Sequence, residues 1–253
     1  MKKMKQFTSK ELLEELREVG ESLSTRVTAY LIGGCSMSLR GLKDSTKDVD
    51  LVFADKQELN AFSEALEARG YEKYLEVNGE YEQLGTEVIY RKKGAAGFDL
   101  FLKTVCRALR LSKGMRKRAK LLGETGKLAV FLCSEEDVFL FKSITERPQD
   151  VDDMAALLES KREEFDWEAF KKEVEEQSRD YPNLSILASN KLSELKEKHE
   201  LKAPIESWLI KEGEKTILQD AFNQRLEQGM TREQALNELK KRGFSQKELS
   251  KIK

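Results

Sequence analysis

Residues 31–53 read LIGGCSMSLRGLKDSTKDVDLVF. One apolar run stops at two adjacent glycines, Gly33 and Gly34, and the next carries Asp48 and Asp50. The first run, residues 27–32, reads as a buried strand entering a tight turn. The second also reads as a strand. Side chains alternate across a strand, so Asp48 and Asp50 share one face while Val49 and Leu51 share the other. Their Cα atoms would lie roughly 7 Å apart, near enough for the carboxyl groups to converge on a common object. Two carboxylates about 5 Å apart at an effective dielectric near 20 repel by roughly 3 kcal/mol before any desolvation cost. The pair calls for a positive charge. A hard divalent cation, magnesium or manganese, suits an all-oxygen site.

A third carboxylate, Asp99, stands in GFDLFLK among Phe98, Leu100, Phe101 and Leu102. Aspartate is disfavoured in strands, and one flanked by aromatics needs a partner. If this strand lies beside residues 48–53, three carboxylates meet on one edge of one sheet. That is the geometry of a two-metal phosphoryl-transfer site, in which ions roughly 3.5 to 4 Å apart activate the attacking oxygen and neutralise phosphate charge. Each signal has a bland reading by itself: Asp-x-Asp at a strand end can be a solvated edge, and any turn can use glycine. The ordered combination is much more specific.

The rest of the chain frames this motif. Thr8 and Glu11 form a capping-box pattern ahead of an amphipathic helix that ends near Gly20. A short helix is expected through Ser36 to Leu42. Asp55 and Glu58 are expected to cap a helix over 56–69, closed by Gly70. Strands are expected near 71–77, 86–92, 97–103 and 127–132, then a helix capped by Ser134 and another opened by Pro148. Beyond about residue 160 the chain reads as helical and highly charged, with Asp166, Thr231 and Ser245 as caps. These patterns divide the chain into residues 1–161, an α/β domain with a small mixed β-sheet flanked by helices, and residues 162–253, a helical C-terminal domain.

Composition excludes several classes. The 253 residues are 39% hydrophobic and 36% charged, with a net charge of -1, so attraction to nucleic acid must come from a local patch. No continuous apolar segment suits a signal peptide or a membrane span, which places the chain in the cytoplasm with no membrane partner. Cys35, Cys106 and Cys133 are too dispersed for a zinc cluster or a disulfide framework, and the single histidine, His199, argues against a Ser-His-Asp triad.

At Gly33, Gly34, Ser36, Asp48, Asp50 and Asp99 the chain resembles the DNA polymerase beta-like nucleotidyltransferase superfamily. Among its minimal members it is similar to the antitoxin-type and abortive-infection nucleotidyltransferase-like proteins. The resemblance covers about residues 25–160. It implies a nucleotidyltransferase fold and transfer of a nucleoside monophosphate from a nucleoside triphosphate to an acceptor hydroxyl, with a divalent metal. It also implies roles: backbone N–H groups of Gly33 and Gly34 approaching the triphosphate, Ser36 donating to it, Asp48 and Asp50 holding metal-bound nucleotide, and Asp99 binding a second metal and activating the acceptor. The segment EDVFLFKSITERPQDVDDMAALL looks like the family's later helices, which makes Lys142 the candidate phosphate contact. Arg40, Lys43 and Lys47 flank the motif and read equally as a charged loop. Cys35 inside the motif needs only to be small.

Residues 102–120 contain Lys103, Arg107, Arg110, Lys113, Arg116, Lys117, Arg118 and Lys120 with no acidic residue. Starting just after Asp99, this run reads as an acceptor track for RNA or tRNA, or as a solvated basic helix or loop offset by acidic neighbours. It lacks the aromatics of a stacking platform for single strands. The terminal TREQALNELKKRGFSQKELSKIK reads as packed helices or a small helix-turn-helix. The Arg-x4-6-His signature of ribonuclease domains that accompany minimal nucleotidyltransferases is missing around His199, so such a protein partner would be a separate chain. Two competing functions stay open: a nonenzymatic nucleotide-binding or toxin-antitoxin regulator, and a nucleotidyltransferase acting on a small molecule in the manner of the aminoglycoside-modifying enzymes.

Overall fold

The computed structural model describes residues 5–74 and 85–252; part of the strand expected at 71–77 lies outside these. By contact the chain forms two compact units, residues 1–173 and 174–253.

The first unit is built on a seven-stranded mixed sheet. Its strands are β1 (Val27–Ile32), β2 (Asp48–Phe53), β3 (Glu72–Lys73), β4 (Val88–Arg91), β5 (Gly97–Leu102), β8 (Lys120–Thr125) and β9 (Leu128–Leu132), in the order β3-β4-β5-β2-β1-β9-β8. β1 pairs antiparallel with β2 and parallel with β9, while β2 pairs parallel with β5. A two-stranded hairpin, β6 (Thr104–Val105) and β7 (Leu109–Arg110), follows β5. The helices of this unit are α1 (Ser9–Ser22), α2 (Gly33–Leu39), α3 (Lys56–Ala68), α4 (Lys113–Arg118), α5 (Glu135–Ser143) and α6 (Gln149–Lys161), and α7 (Trp167–Gln177) runs across the division.

Alternation sorts the two faces of the sheet. Val27, Ala29, Leu31, Val49, Leu51, Phe53, Phe98 and Leu100 join Leu12, Leu16 and Val19 of α1 and Leu59, Phe62 and Leu66 of α3 in one apolar core. The opposite face, carrying Asp48, Asp50 and Asp99, is left for chemistry. Four aromatics, Phe139, Phe165, Trp167 and Phe170, pack edge to face and tilted about α5, with Phe139 5.2 Å from Phe165 and 5.7 Å from Phe170.

The expected caps form. Thr8 and Glu11 make the capping box of α1, Asp55 accepts from Gln57 N at 2.7 Å, and Ser134 caps α5. Glu58 does something else: its carboxylate accepts from the Thr28 N–H of β1 at 3.0 Å. Strand β8, which starts at the last residue of the basic run, was not announced by the sequence, and neither was the β6–β7 hairpin. The KLLGET of β8 is largely exposed, so it carries no buried alternation to detect.

The second unit is helical, with α8 (Leu184–His199), α9 (Glu206–Glu227), α10 (Arg232–Lys241) and α11 (Gln246–Leu249). Gly213 faces Ile186 where α9 meets α8; a Cβ there would lie 3.1 Å from Ile186 Cγ1. Leu218, Phe222, Ala235, Leu239, Leu249 and Ile252 form its C-terminal core, and Thr231 and Ser245 each close a capping box. No helix among the described residues is long and apolar enough to cross a membrane.

Candidate active site

The parallel pairing of β2 with β5 sets Asp50 opposite Asp99 and Asp48 opposite Gly97. β1 sets Ile32 opposite Asp50, and β4 sets Ile89 opposite Asp99. One lateral row therefore reads Ile89, Asp99, Asp50, Ile32, and Asp48 stands on the same face two residues before Asp50. The three carboxylates singled out in the sequence are brought together by strand register alone.

Their surroundings oppose ionisation. Asp99 is 4% exposed, whereas Asp50 and Asp48 keep some access to solvent. Burial, then repulsion from Asp99 and Asp48, pushes Asp50 up to about 8, despite the opposing charges of Arg147 and Lys142. Burial and the Asp48 charge raise Asp99 to about 6 against the pull of Arg91. Burial also raises Asp48, with Arg91 and Lys47 opposing. Three carboxylates held this way are short of positive charge.

Gly33 begins α2 at φ +63°, and a Cβ there would clash with the Asp50 carboxylate, lying 2.7 Å from its Cγ. A Cβ on Gly34 would lie 2.9 Å from Thr46 Oγ1. Gly33 is thus required by close approach and by its positive φ, and it leaves bare backbone beside Asp50. Ser36 lies a turn inside α2, which starts at Gly33 and ends at Leu39 rather than Leu42. It is fully buried, and its hydroxyl and carbonyl both accept from Arg40 Nη1. Arg40 also donates to the Cys133 carbonyl and pairs with Glu135 at 3.2 Å, so it ties α2 to the start of α5. Cys35 is packed in the core.

Lys142 is 4% exposed, and its ammonium contacts Asp153 and, at 2.8 Å, Asp150. Lys43 pairs with Asp153 at 2.5 Å, and Arg147 pairs with Asp150 at 3.0 Å. Burial alone would raise Asp150, but Lys142 and Arg147 outweigh it and hold this carboxyl below its usual range. Lys142 and Arg147 both bear on Asp50, so this ion cluster borders the carboxylates of the sheet.

The sequence reading missed Arg91, Arg147, Asp150 and Asp153. Asp150 and Asp153 had a signal: they share a helix face with Met154 and Leu157, where an aspartate must find a cation. Arg91 had none, because an arginine at the end of a strand reads as solvated. In the structure its Nη1 donates to Asp99 Oδ1 at 2.8 Å, and its Nη2 lies 3.4 Å from Asp48 Oδ1.

The basic run divides. β5 carries the chain from Gly97 beside Asp48 to Leu102 beside Phe53, away from the carboxylates. The β6–β7 hairpin then brings Cys106 within electrostatic reach of Arg147, Asp150, Lys142 and Asp50. Cys106 and Arg107 form its tip with φ of 56° and 54°. Lys103, Arg107, Arg110, Lys113, Lys117 and Lys120 are exposed. Arg118 is not part of that surface: it donates to Asp137 at 2.5 Å and Glu173 at 2.6 Å, both buried. Arg116 is half-buried.

Among the described residues, no group of three or more His, Cys, Asp and Glu side chains is disposed to hold a metal ion. The donor set still fits one. Asp99 is engaged by Arg91 through Oδ1, whereas Asp50 and the second oxygen of Asp48 are hard donors short of charge compensation.

Glycines at the end of β1 and aspartates at the start of β2 and within β5 agree with the class that the sequence resembles, the nucleotidyltransferases. Residues 8–200 match the family described as "Nucleotidyltransferase of unknown function (DUF6036)", and the chain belongs to that family. A solved structure described as "Crystal structure of putative nucleotidyltransferase from H. pylori" is 14% identical, covers 89% of this chain and 100% of its own, and has a TM-score of 0.40. No curated protein matches the chain.

Proposed function

We propose that the protein transfers a nucleoside monophosphate from a nucleoside triphosphate to an acceptor hydroxyl and releases pyrophosphate. The observation that carries this reading is the register of Asp50 against Asp99, directly beside the bare backbone of Gly33. Asp48 and Asp50 would hold a magnesium or manganese ion. Such an ion, when bound, neutralises charge on the triphosphate.

The chain's own groups do the rest. Gly33 and Gly34 let the triphosphate approach the backbone, with Lys142 and Arg147 supplying positive field from the cluster bordering Asp50. The acceptor oxygen attacks the α-phosphorus, forming the new P–O bond as the bond to the β-phosphate breaks. Asp99, on the neighbouring strand, takes the hydroxyl proton. A nonenzymatic nucleotide-binding regulator has no use for three mutually repelling carboxylates, which favours the enzyme over that competitor.

The exposed cations from Lys103 to Lys120, with the hairpin tip near the carboxylates, favour RNA or tRNA over a small molecule as acceptor. The test is transfer from each α-labelled nucleoside triphosphate, with magnesium or manganese, into total RNA, protein and an aminoglycoside panel. Label in RNA with the wild type and none with Asp50→Asn supports the reading. Absence of label in every acceptor contradicts it.

A further inference from the structure

We propose that Arg91 is a built-in substitute for a second cation, so that this site takes one divalent ion where three converging carboxylates would otherwise take two. The inference rests on the nucleotidyl-transfer reading above.

The guanidinium does what a bridging ion would do. It joins a carboxylate of β5 to a carboxylate of β2, with Nη1 2.8 Å from Asp99 Oδ1 and Nη2 3.4 Å from Asp48 Oδ1. A second metal would have to compete with the guanidinium for these two carboxylates. Arginine stays charged at any working pH, and its planar fork presents two donors at fixed spacing, so it holds both carboxylates as a permanent fixture.

The local sequence makes room for it. Arg91 is on β4, and to reach Asp48 its side chain must pass over β5, with neighbouring strands about 5 Å apart. Gly97 lies under that path: a Cβ there would lie 2.8 Å from Arg91 Cζ and would also clash with Asp48 Oδ1. Nη1 donates to the Tyr90 carbonyl as well, at 2.9 Å, which fixes the head of the side chain. An arginine that reached the carboxylates by accident would need no glycine lane.

Charge agrees in direction: Asp48, Asp50 and Asp99 carry three carboxyl groups, and the Arg91 guanidinium pairs with two of them. The adjoining cluster of Lys142, Lys43 and Arg147 already faces Asp150 and Asp153 and supplies no further carboxylate to the sheet.

The test counts bound manganese on the full chain by electron paramagnetic resonance, with Mn2+ alone and with the α,β-methylene analogues of ATP, CTP, GTP and UTP in turn. The wild type should saturate at one ion per chain. Arg91→Met, which keeps the length of the side chain and removes its charge, should take up a second ion and show a spin-coupled spectrum; Arg91→Gln serves if the methionine variant does not fold. Two ions in the wild type, or one ion in a folded Arg91 variant, overturn the inference and leave nucleotidyl transfer standing. No ion held above the nucleotide's own binding, by wild type and Asp50→Asn alike, refutes the metal-dependent reading and this inference with it.

Discussion

Replacing Asp50 by asparagine should stabilise the metal-free protein, and by an amount that depends on pH. The buried carboxyl, pressed by Asp99 and Asp48, has its pKa raised from the ordinary 3.8 to about 8. The folded state therefore binds this proton more tightly than the unfolded chain does. The Asp50 contribution to stability is greatest below pH 4, falls as pH rises toward about 8, and is level beyond. At pH 7 the integrated loss is about 4 kcal/mol, from roughly three pH units at 1.36 kcal/mol each. Asp50 keeps some solvent access and shares its repulsion with two neighbours, so about half of that, ~2 kcal/mol, is the expected gain in Asp50→Asn. For a unit of this size the gain corresponds to a Tm rise of roughly 5 °C. Differential scanning calorimetry at pH 4 to 8 checks it. The variant should exceed the wild type at pH 8 and converge with it near pH 4, and millimolar magnesium should stabilise only the wild type. An asparagine variant no more stable at pH 8, or a gap that does not shrink toward pH 4, would refute the reasoning.

Gly33→Ala forces a Cβ against the Asp50 carboxylate at a positive φ, so it should cost about 1–3 kcal/mol and abolish transfer, read by calorimetry and by label incorporation. Lys142→Met leaves Asp150 and Asp153 buried without their shared cation and should cost about 3–5 kcal/mol, partly restored when both aspartates become asparagine. Arg118→Ala should cost about 3 kcal/mol through Asp137 and Glu173, while Lys113→Glu with Lys117→Glu should stay within about 1 kcal/mol. RNA retention should respond the other way round: the lysine pair weakens it and flattens its salt dependence by about one unit for each phosphate no longer neutralised, which filter binding at two salt concentrations measures.

The heart of the site was legible because strands alternate with a fixed period. Asp48 and Asp50 two apart, and Asp99 in an aromatic strand, had to find a common face once β2 and β5 paired. The capping box at Thr8 and the caps at Thr231 and Ser245 were also legible, being local patterns with local causes. What escaped was non-local. Arg91 reaches across a neighbouring strand, and only the order β4-β5-β2 and the lane over Gly97 reveal its targets. Lys142 was identified as a charge near the site, but its partners Asp150 and Asp153 come from a helix whose packing on α5 no spacing rule supplies. The basic run read as one track, yet Arg118 turns inward because Asp137 and Glu173 wait there buried.

The central claim is that the α-phosphorus of a nucleoside triphosphate is the atom attacked. Parallel incubations with α-labelled and γ-labelled nucleoside triphosphate, magnesium and total RNA test this directly. The account predicts α-label on the acceptor, γ-label in pyrophosphate, and neither product with Asp48→Asn/Asp50→Asn. Label from the γ-position on the acceptor, or released as orthophosphate, would contradict it.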